Sequence, residues 1–287
     1  MIRHRRKQVQ PSDSTINTNI EAALAEDLDQ RGDLTARLIP ETATAHARVI
    51  TREDTVLAGQ PWFNAIFKRL DPKVRLFWLA EDGEPVAAGQ TLCEIKGNAR
   101  ALLSAERPAL NFLQTLSGVA SATRHYVAAV AGTRARIYDT RKTLPGLRAA
   151  LKYAVLCGGG ENQRMGLFDG ILIKENHIAA AGGIRPALEQ ARALAPAGVS
   201  IQIEVESMAQ LAEALDAGAK LILLDNFDTE SLREAVLYTD GRAELEASGG
   251  IDLDNVRSVA ETGVDRISIG DLTKNVRAVD LSMRFVA

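Results

Sequence analysis

From about residue 130 onward the chain alternates between short aliphatic or β-branched runs and longer segments whose apolar residues recur at three and four. The runs are ARIYDTRK, GILIKENH, IQIEVES, LILLDNF, AELEASGG and RISIGD. Between them lie LRAALKYAVLCGG, IRPALEQARAL, MAQLAEALDAG, SLREAVLYTD and LDNVRSVAETG, helical patterns that often stop at Gly, where a left-handed C-cap is expected. Repeated βα units with short connections imply parallel strands joined by right-handed crossovers, and near-continuous apolar runs imply cover on both faces.

An open sheet and a barrel both satisfy that pattern, and the polar residues closing the runs choose between them. They are Asp139 to Lys142, Lys174, Glu204 and Glu206, Asp225, Ser248 with Gly249 and Gly250, then Gly270 and Asp271. In a β/α barrel such ends converge on one rim, with phosphate sites favoured after the last strands. An open sheet converges them only near a switch point, and its usual single glycine-rich first turn is not seen. The expected fold is α/β: an incomplete β/α barrel of six to seven strands, preceded by a separate α/β layer.

That layer is read from AHARVITREDTVLAG and PVAAGQTLCEIKG, which alternate and are punctuated by Gly and Pro as antiparallel strands are, and from a segment helical after Pro108. The expected organisation is a flexible arm over 1–18, the α/β layer over 19–115, and the barrel over 116–275. The strand-like 276–287 segment is expected to return to the first layer.

Composition excludes more than it selects. With 34 Lys and Arg against 37 Asp and Glu, nothing global points to nucleic acid or an anionic membrane. No apolar run approaches the roughly 18 residues of a membrane span. The basic MIRHRRKQ is followed by QPSDSTINT rather than by the apolar core of a signal peptide. Cys93 and Cys157 have no metal-ligand spacing and read as free thiols, so the expected location is the cytoplasm.

The rim mixes the cations Arg141, Lys142, Arg164 and Lys174 with the carboxylates Glu204 and Asp225. Both signs together suggest an anionic substrate accompanied by a divalent metal. SGG at 248–250 and IGD at 269–271 leave backbone N–H groups open to a phosphate. The residues alone leave other readings open: Lys174 as the Schiff-base nucleophile of a barrel aldolase, or a phosphosugar-binding protein without catalysis.

Longer motifs narrow the choice. YDTRKTLPGLRAALKYAV (138–155), CGGGENQRMGL (157–167) and LIKENHI (172–178) resemble the quinolinate phosphoribosyltransferase family. The likeness extends to EDLDQRGDLT (26–35), SAERPALNFLQTLSG (104–118), EVES (204–207), LLDN (223–226), SGGI (248–251) and SIGDLT (268–273). It implies conversion of quinolinate and phosphoribosyl pyrophosphate to nicotinate mononucleotide, pyrophosphate and CO2, with Mg2+, in NAD synthesis. It also implies an N-terminal α/β sandwich and a homodimer in which Arg107 reaches the partner's pocket. A sister protein of the same fold associated with molybdenum transport is the nearest alternative.

By the same resemblance, Arg107, Arg141, Lys142, Gln163, Arg164 and Lys174 bind quinolinate, and Thr140 is a further substrate-binding residue. Glu204 and Asp225 serve the Mg2+–ribose–pyrophosphate region, and Ser248, Gly249, Gly250, Ile269, Gly270 and Asp271 hold the 5′-phosphate. Lys142, Lys174, Glu204 and Asp225 are the expected catalytic groups. Gln163 departs from the family, in which many members carry His: an amide keeps hydrogen bonds but cannot become cationic.

Overall fold

The computed structural model describes residues 11–286. In chain order its elements begin with α1 (Asp13–Leu28), β1 (Thr44–Thr51), β2 (Thr55–Val56), α2 (Gln60–Leu70), β3 (Arg75–Trp78), β4 (Pro85–Val86), β5 (Thr91–Asn98) and α3 (Ala99–Ala129). They continue with β6 (Arg136–Tyr138), α4 (Arg148–Gly158), β7 (Gly170–Ile173), α5 (Glu175–Ala181), α6 (Ile184–Leu194), β8 (Ser200–Val205) and α7 (Met208–Asp216). The last are β9 (Leu221–Asp225), α8 (Thr229–Thr239), β10 (Glu244–Ser248), α9 (Val256–Ala260), β11 (Arg266–Ser268), α10 (Asp271–Lys274) and β12 (Leu281–Phe285).

The described residues divide into two compact units, one of 11–124, 143–159 and 272–286, the other of 125–142 and 160–271. In the first, an antiparallel sheet runs in the order β12-β1-β5-β3, and β2 pairs with β4. The C-terminal strand returns to this sheet, with Val49 opposite Met283 on one side and Cys93 on the other. Trp62, Phe63, Phe67, Leu92, Ile95 and Leu113 are fully withdrawn from solvent, each contributing about 2 kcal/mol of transfer free energy. Trp62 packs 5.6 Å from the ring of Tyr153 and donates its indole N–H to Asn19 Oδ1 at 3.1 Å.

Two expectations are corrected in this unit. Residues 13–18, read as part of a flexible arm, form the first turns of α1; residues 1–10 lie outside the described ones. The Ser12 side chain caps that helix by accepting from the Thr15 N–H, and Ile16, Ile20 and Leu24 recur every four residues on a buried face. The polar residues between them hide the stripe in the sequence. Helix α3 does not begin after Pro108 but nine residues earlier, and runs through it. Proline removes one helical hydrogen bond, and the buried face of Leu102, Ala105, Ala109, Leu110 and Leu113 holds the helix on both sides of the gap.

The second unit is the incomplete β/α barrel. Its six parallel strands are ordered β6-β11-β10-β9-β8-β7 and coincide with the six runs read from the sequence. The seam beside β6 is occupied by an extended residue: Glu161 accepts from the Asp139 N–H at 3.1 Å and donates to the Ile137 carbonyl at 2.8 Å. One expectation needs refinement. The outward faces are apolar, as in Ile203, Val205, Ile222, Leu224, Leu245 and Ala247, but several inward positions are buried polar groups, namely Gln202, Glu204, Glu246 and Ser268.

Candidate active site

The C-terminal ends of these strands surround a cavity of about 420 Å3. Strand period places its lining: inward residues alternate with outward ones, so Gln202 and Glu204 of β8, Leu223 and Asp225 of β9, and Glu246 and Ser248 of β10 share the inner face. The chain leaving β6 contributes Thr140, Arg141 and Lys142, and the turn after Glu161 contributes Gln163 and Arg164. Lys174 follows β7 and is the N-cap of α5, where its backbone N–H donates to His177 Nδ1 at 3.1 Å. His177 therefore orders a helix start.

The charges are arranged in opposition. Lys174 Nζ is 2.9 Å from Glu204 Oε2, and Glu204 is buried while the lysine is half-exposed. Arg164 donates from Nη1 to the Gly170 carbonyl at 2.9 Å, which directs its guanidinium along the edge of β7. Burial, and next the neighbouring Arg141 cation, push the Arg164 guanidinium below the usual arginine range. Two partly exposed cations lining one cavity wall favour an anion between them. Thr140 Oγ1 accepts from the Lys142 N–H at 3.0 Å and so shapes the turn that carries both cations.

The glycine loops stand at the last strand ends. Gly249 and Gly250 have φ of 96° and 58°, in the left-handed region, and a Cβ on Gly249 would lie 2.1 Å from Asn226 Oδ1. Only glycine fits there without displacing Asn226. A Cβ on Gly270 would lie 3.2 Å from the Lys142 side chain, which puts this loop beside the Lys142 cation. Ile269 is buried, its N–H donating to the Tyr138 carbonyl at 2.9 Å, and Asp271 opens the short α10.

Of the residues singled out from the sequence, Thr140, Arg141, Lys142, Gln163, Arg164, Lys174, Glu204, Asp225 and Ser248 line the one cavity. Gly249, Gly250, Ile269, Gly270, Asp271 and Arg107 are not among its lining residues. Arg107 lies on α3, exposed.

Glu246 and Gln202, outside the residues singled out above, form the floor of the cavity. Gln163 Nε2 donates to the carboxylate of Glu246, and Gln202 Nε2 donates to Glu246 Oε2 at 3.0 Å. Burial pushes the Glu246 carboxyl above the usual range, against the hydrogen bonds from Gln202, Ser268 and Gln163 that pull it down. The signal was available: counting back two from Ser248 and from Glu204 on an alternating strand reaches Glu246 and Gln202.

Comparison with known proteins gives the family. Residues 33–117 match the family model "Quinolinate phosphoribosyl transferase, N-terminal domain" and residues 119–284 match "Quinolinate phosphoribosyl transferase, C-terminal domain". The chain is 42% identical over 252 residues to a probable nicotinate-nucleotide pyrophosphorylase (carboxylating) of Bacillus subtilis, covering 88% of this chain and 87% of that one. It is 38% identical over 284 residues to quinolinate phosphoribosyltransferase (decarboxylating) 1 of Nicotiana glauca, covering 92% and 81%. The solved nicotinate-nucleotide pyrophosphorylase of Francisella tularensis superposes with a TM-score of 0.94 at 41% identity, covering 98% of this chain and 99% of that one. With both domain models matched in order and the strand-end cations in one cavity, the chain belongs to the quinolinate phosphoribosyltransferase family.

Proposed function

We infer that this protein transfers the phosphoribosyl group of phosphoribosyl pyrophosphate to quinolinate and decarboxylates the product, yielding nicotinate mononucleotide, pyrophosphate and CO2 for NAD biosynthesis. The observation that carries this reading is the single cavity in which Arg141, Lys142, Arg164 and Lys174 face Glu204 and Asp225. Arg141 and Arg164 can each bind a carboxylate through two N–H groups, and Lys142 and Lys174 add point charge, so a ligand with two adjacent carboxylates suits the wall.

In the first step the pyridine nitrogen bonds to the ribose anomeric carbon as the bond to pyrophosphate breaks and its electron pair leaves with the oxygen. Positive charge develops on the ribose, where Glu204 and Asp225 oppose it. In the second step the bond from ring C2 to its carboxylate breaks, and the electron pair remains at C2 beside the now cationic nitrogen. CO2 departs and a proton from solvent takes its place. The chain contributes positioning and electrostatics, and no covalent nucleophile is needed. Lys174 is ion-paired to Glu204, which suits charge complementarity better than the Schiff-base role.

The donor set fits magnesium as the cofactor. Among the described residues no cluster of three His, Cys, Asp or Glu side chains is present, and Mg2+ is commonly held by one or two carboxylates with substrate phosphates and water supplying the rest. Glu204 and Asp225 would hold it, and it would neutralise the departing pyrophosphate. The backbone N–H groups of Gly249, Gly250, Gly270 and Asp271, with the Ser248 hydroxyl, suit the 5′-phosphate. We propose a cytoplasmic homodimer in which the exposed Arg107 completes the partner's quinolinate site; the two buried cysteines, joined by no disulfide among the described residues, suit a reducing compartment. No helix among the described residues is long and apolar enough to cross a membrane.

The test is release of CO2 from carboxyl-labelled quinolinate with and without phosphoribosyl pyrophosphate. Release that depends on both substrates is expected. A folded protein that binds both and releases neither CO2 nor pyrophosphate would overturn the assignment and favour a phosphosugar-binding protein without catalysis.

A further inference from the structure

Glu246 occupies the middle of β10 with none of its surface exposed, and it forms part of the cavity floor. Two amide groups converge on its carboxylate, Gln163 Nε2 and Gln202 Nε2, together with the Ser268 hydroxyl. A carboxylate accepts at both oxygens and donates at neither, so it can receive two NH2 groups at once; an amide in its place has one accepting oxygen and must turn its own NH2 against one of them. Gln163 is tied at its main chain as well, its N–H donating to Oδ1 of the fully buried Asp139 at 2.8 Å. The residue directly before Arg164 is thus held at both ends by buried carboxylates on β10 and at the end of β6.

We propose that Glu246 is a positioning residue for the pyridine dicarboxylate: by holding the Gln163 amide at the cavity floor, it sets where Gln163 and the adjoining Arg164 meet the substrate's carboxylates. This rests on the reading of Arg164 and Gln163 as quinolinate-binding groups. Glu246 acts through Gln163 and does not itself touch the substrate. Of the two amides it holds, the one next to Arg164 carries the effect, which is therefore expected on quinolinate alone. A buried acid that merely supported the barrel would affect both substrates alike.

The experiment is steady-state kinetics of the full chain with each substrate varied in turn. Glu246→Gln keeps the size of the side chain but forces one of the two amides to turn. The KM for quinolinate is expected to rise about tenfold, the loss of one charge-assisted hydrogen bond, while the KM for phosphoribosyl pyrophosphate stays within about twofold. Gln163→Ala added to Glu246→Gln is expected to cost little more than either change alone, because both remove the same link. Glu246→Asp, which keeps the charge but withdraws it by a methylene, is expected to show the same one-sided rise and serves if the first variant does not fold.

Removing a buried negative charge would by itself draw a dianion closer, so an unchanged or lower quinolinate KM overturns the proposal. An equal rise in both KM values, or additive effects of the two substitutions, overturns it too. Arg164→Ala separates the two levels of inference. If it raises the quinolinate KM while Glu246 and Gln163 prove uncoupled, only the positioning role falls. If it leaves that KM unchanged, the quinolinate site itself has been misplaced.

Discussion

Lys174 and Glu204 meet because β7 and β8 run in parallel register, Ile173 opposite Ile203, so that the next residue on each strand end is the ion pair, closed at 2.9 Å. The pair joins a half-exposed cation to a carboxylate that is 8% exposed, in the lining of the strand-end cavity.

Lys174→Met is therefore expected to be a kinetic lesion more than a folding lesion. It should lower kcat/KM about 100-fold, typical of losing one preorganised charge, and change stability by about 1 kcal/mol or less, as for a pair open to solvent on one side. Steady-state assays beside urea denaturation check both numbers.

Arg164→Lys keeps the charge and removes the fork. The donor to the Gly170 carbonyl and the capacity to bind a carboxylate through two N–H groups are both lost, so the quinolinate KM should rise about tenfold with little change for the other substrate. Equal effects on both would show that only net charge matters at this wall.

Asp225→Asn should raise the Mg2+ concentration giving half-maximal activity several-fold and leave the quinolinate dissociation constant, measured calorimetrically without metal, near its original value. Chelation of divalent ions should abolish turnover in the unaltered protein. Activity unaffected by chelation would remove the metal from the reading.

Two buried acids shape the pH dependence of stability. Burial raises Glu246 above its ordinary 4.5 and Asp82 above its ordinary 3.8, in each case against hydrogen bonds that lower it, the first for Asp82 coming from Tyr153. A raised carboxyl binds its proton more tightly in the folded state, so its contribution is fully present below the ordinary value and is lost as pH rises through the folded one. Urea midpoints measured upward from pH 4 should show this decline, and Glu246→Gln and Asp82→Asn should each flatten it. A slope unchanged in both variants would refute the assignment.

Glycine-to-alanine changes distinguish close packing from open turns. A Cβ on Gly118 would lie 2.0 Å from the Arg277 carbonyl oxygen and one on Gly158 would lie 2.5 Å from that of Ala120. Backbone cannot swing aside as a side chain can, so each substitution should cost about 2–3 kcal/mol in denaturant unfolding.

Much of the barrel was legible because its signals are local. Six aliphatic runs, helices at period 3.6 and glycine stops depend on neighbours within a few residues, and all six runs are strands of the parallel sheet. The rim set was legible for the same reason: Lys174, Glu204, Asp225 and Ser248 each follow or close a strand, and parallel strands bring such ends together. Helix α1 escaped notice because only Ile16, Ile20 and Leu24 mark its buried face within a polar stretch. The continuity of α3 through Pro108 escaped because local propensity argues against proline inside a helix, and packing overrode it.

What the amino-acid order determined by itself was which elements form, which chemical groups their ends carry, and the family those groups resemble. The tertiary structure alone decided which distant groups share a hydrogen bond. The Gln163 amide reaches Glu246, 83 residues away, and β12 lies against β1 rather than extending the barrel. Periodicity is written within a few residues, whereas the partner of a buried polar group depends on strand order and register, which no local pattern encodes.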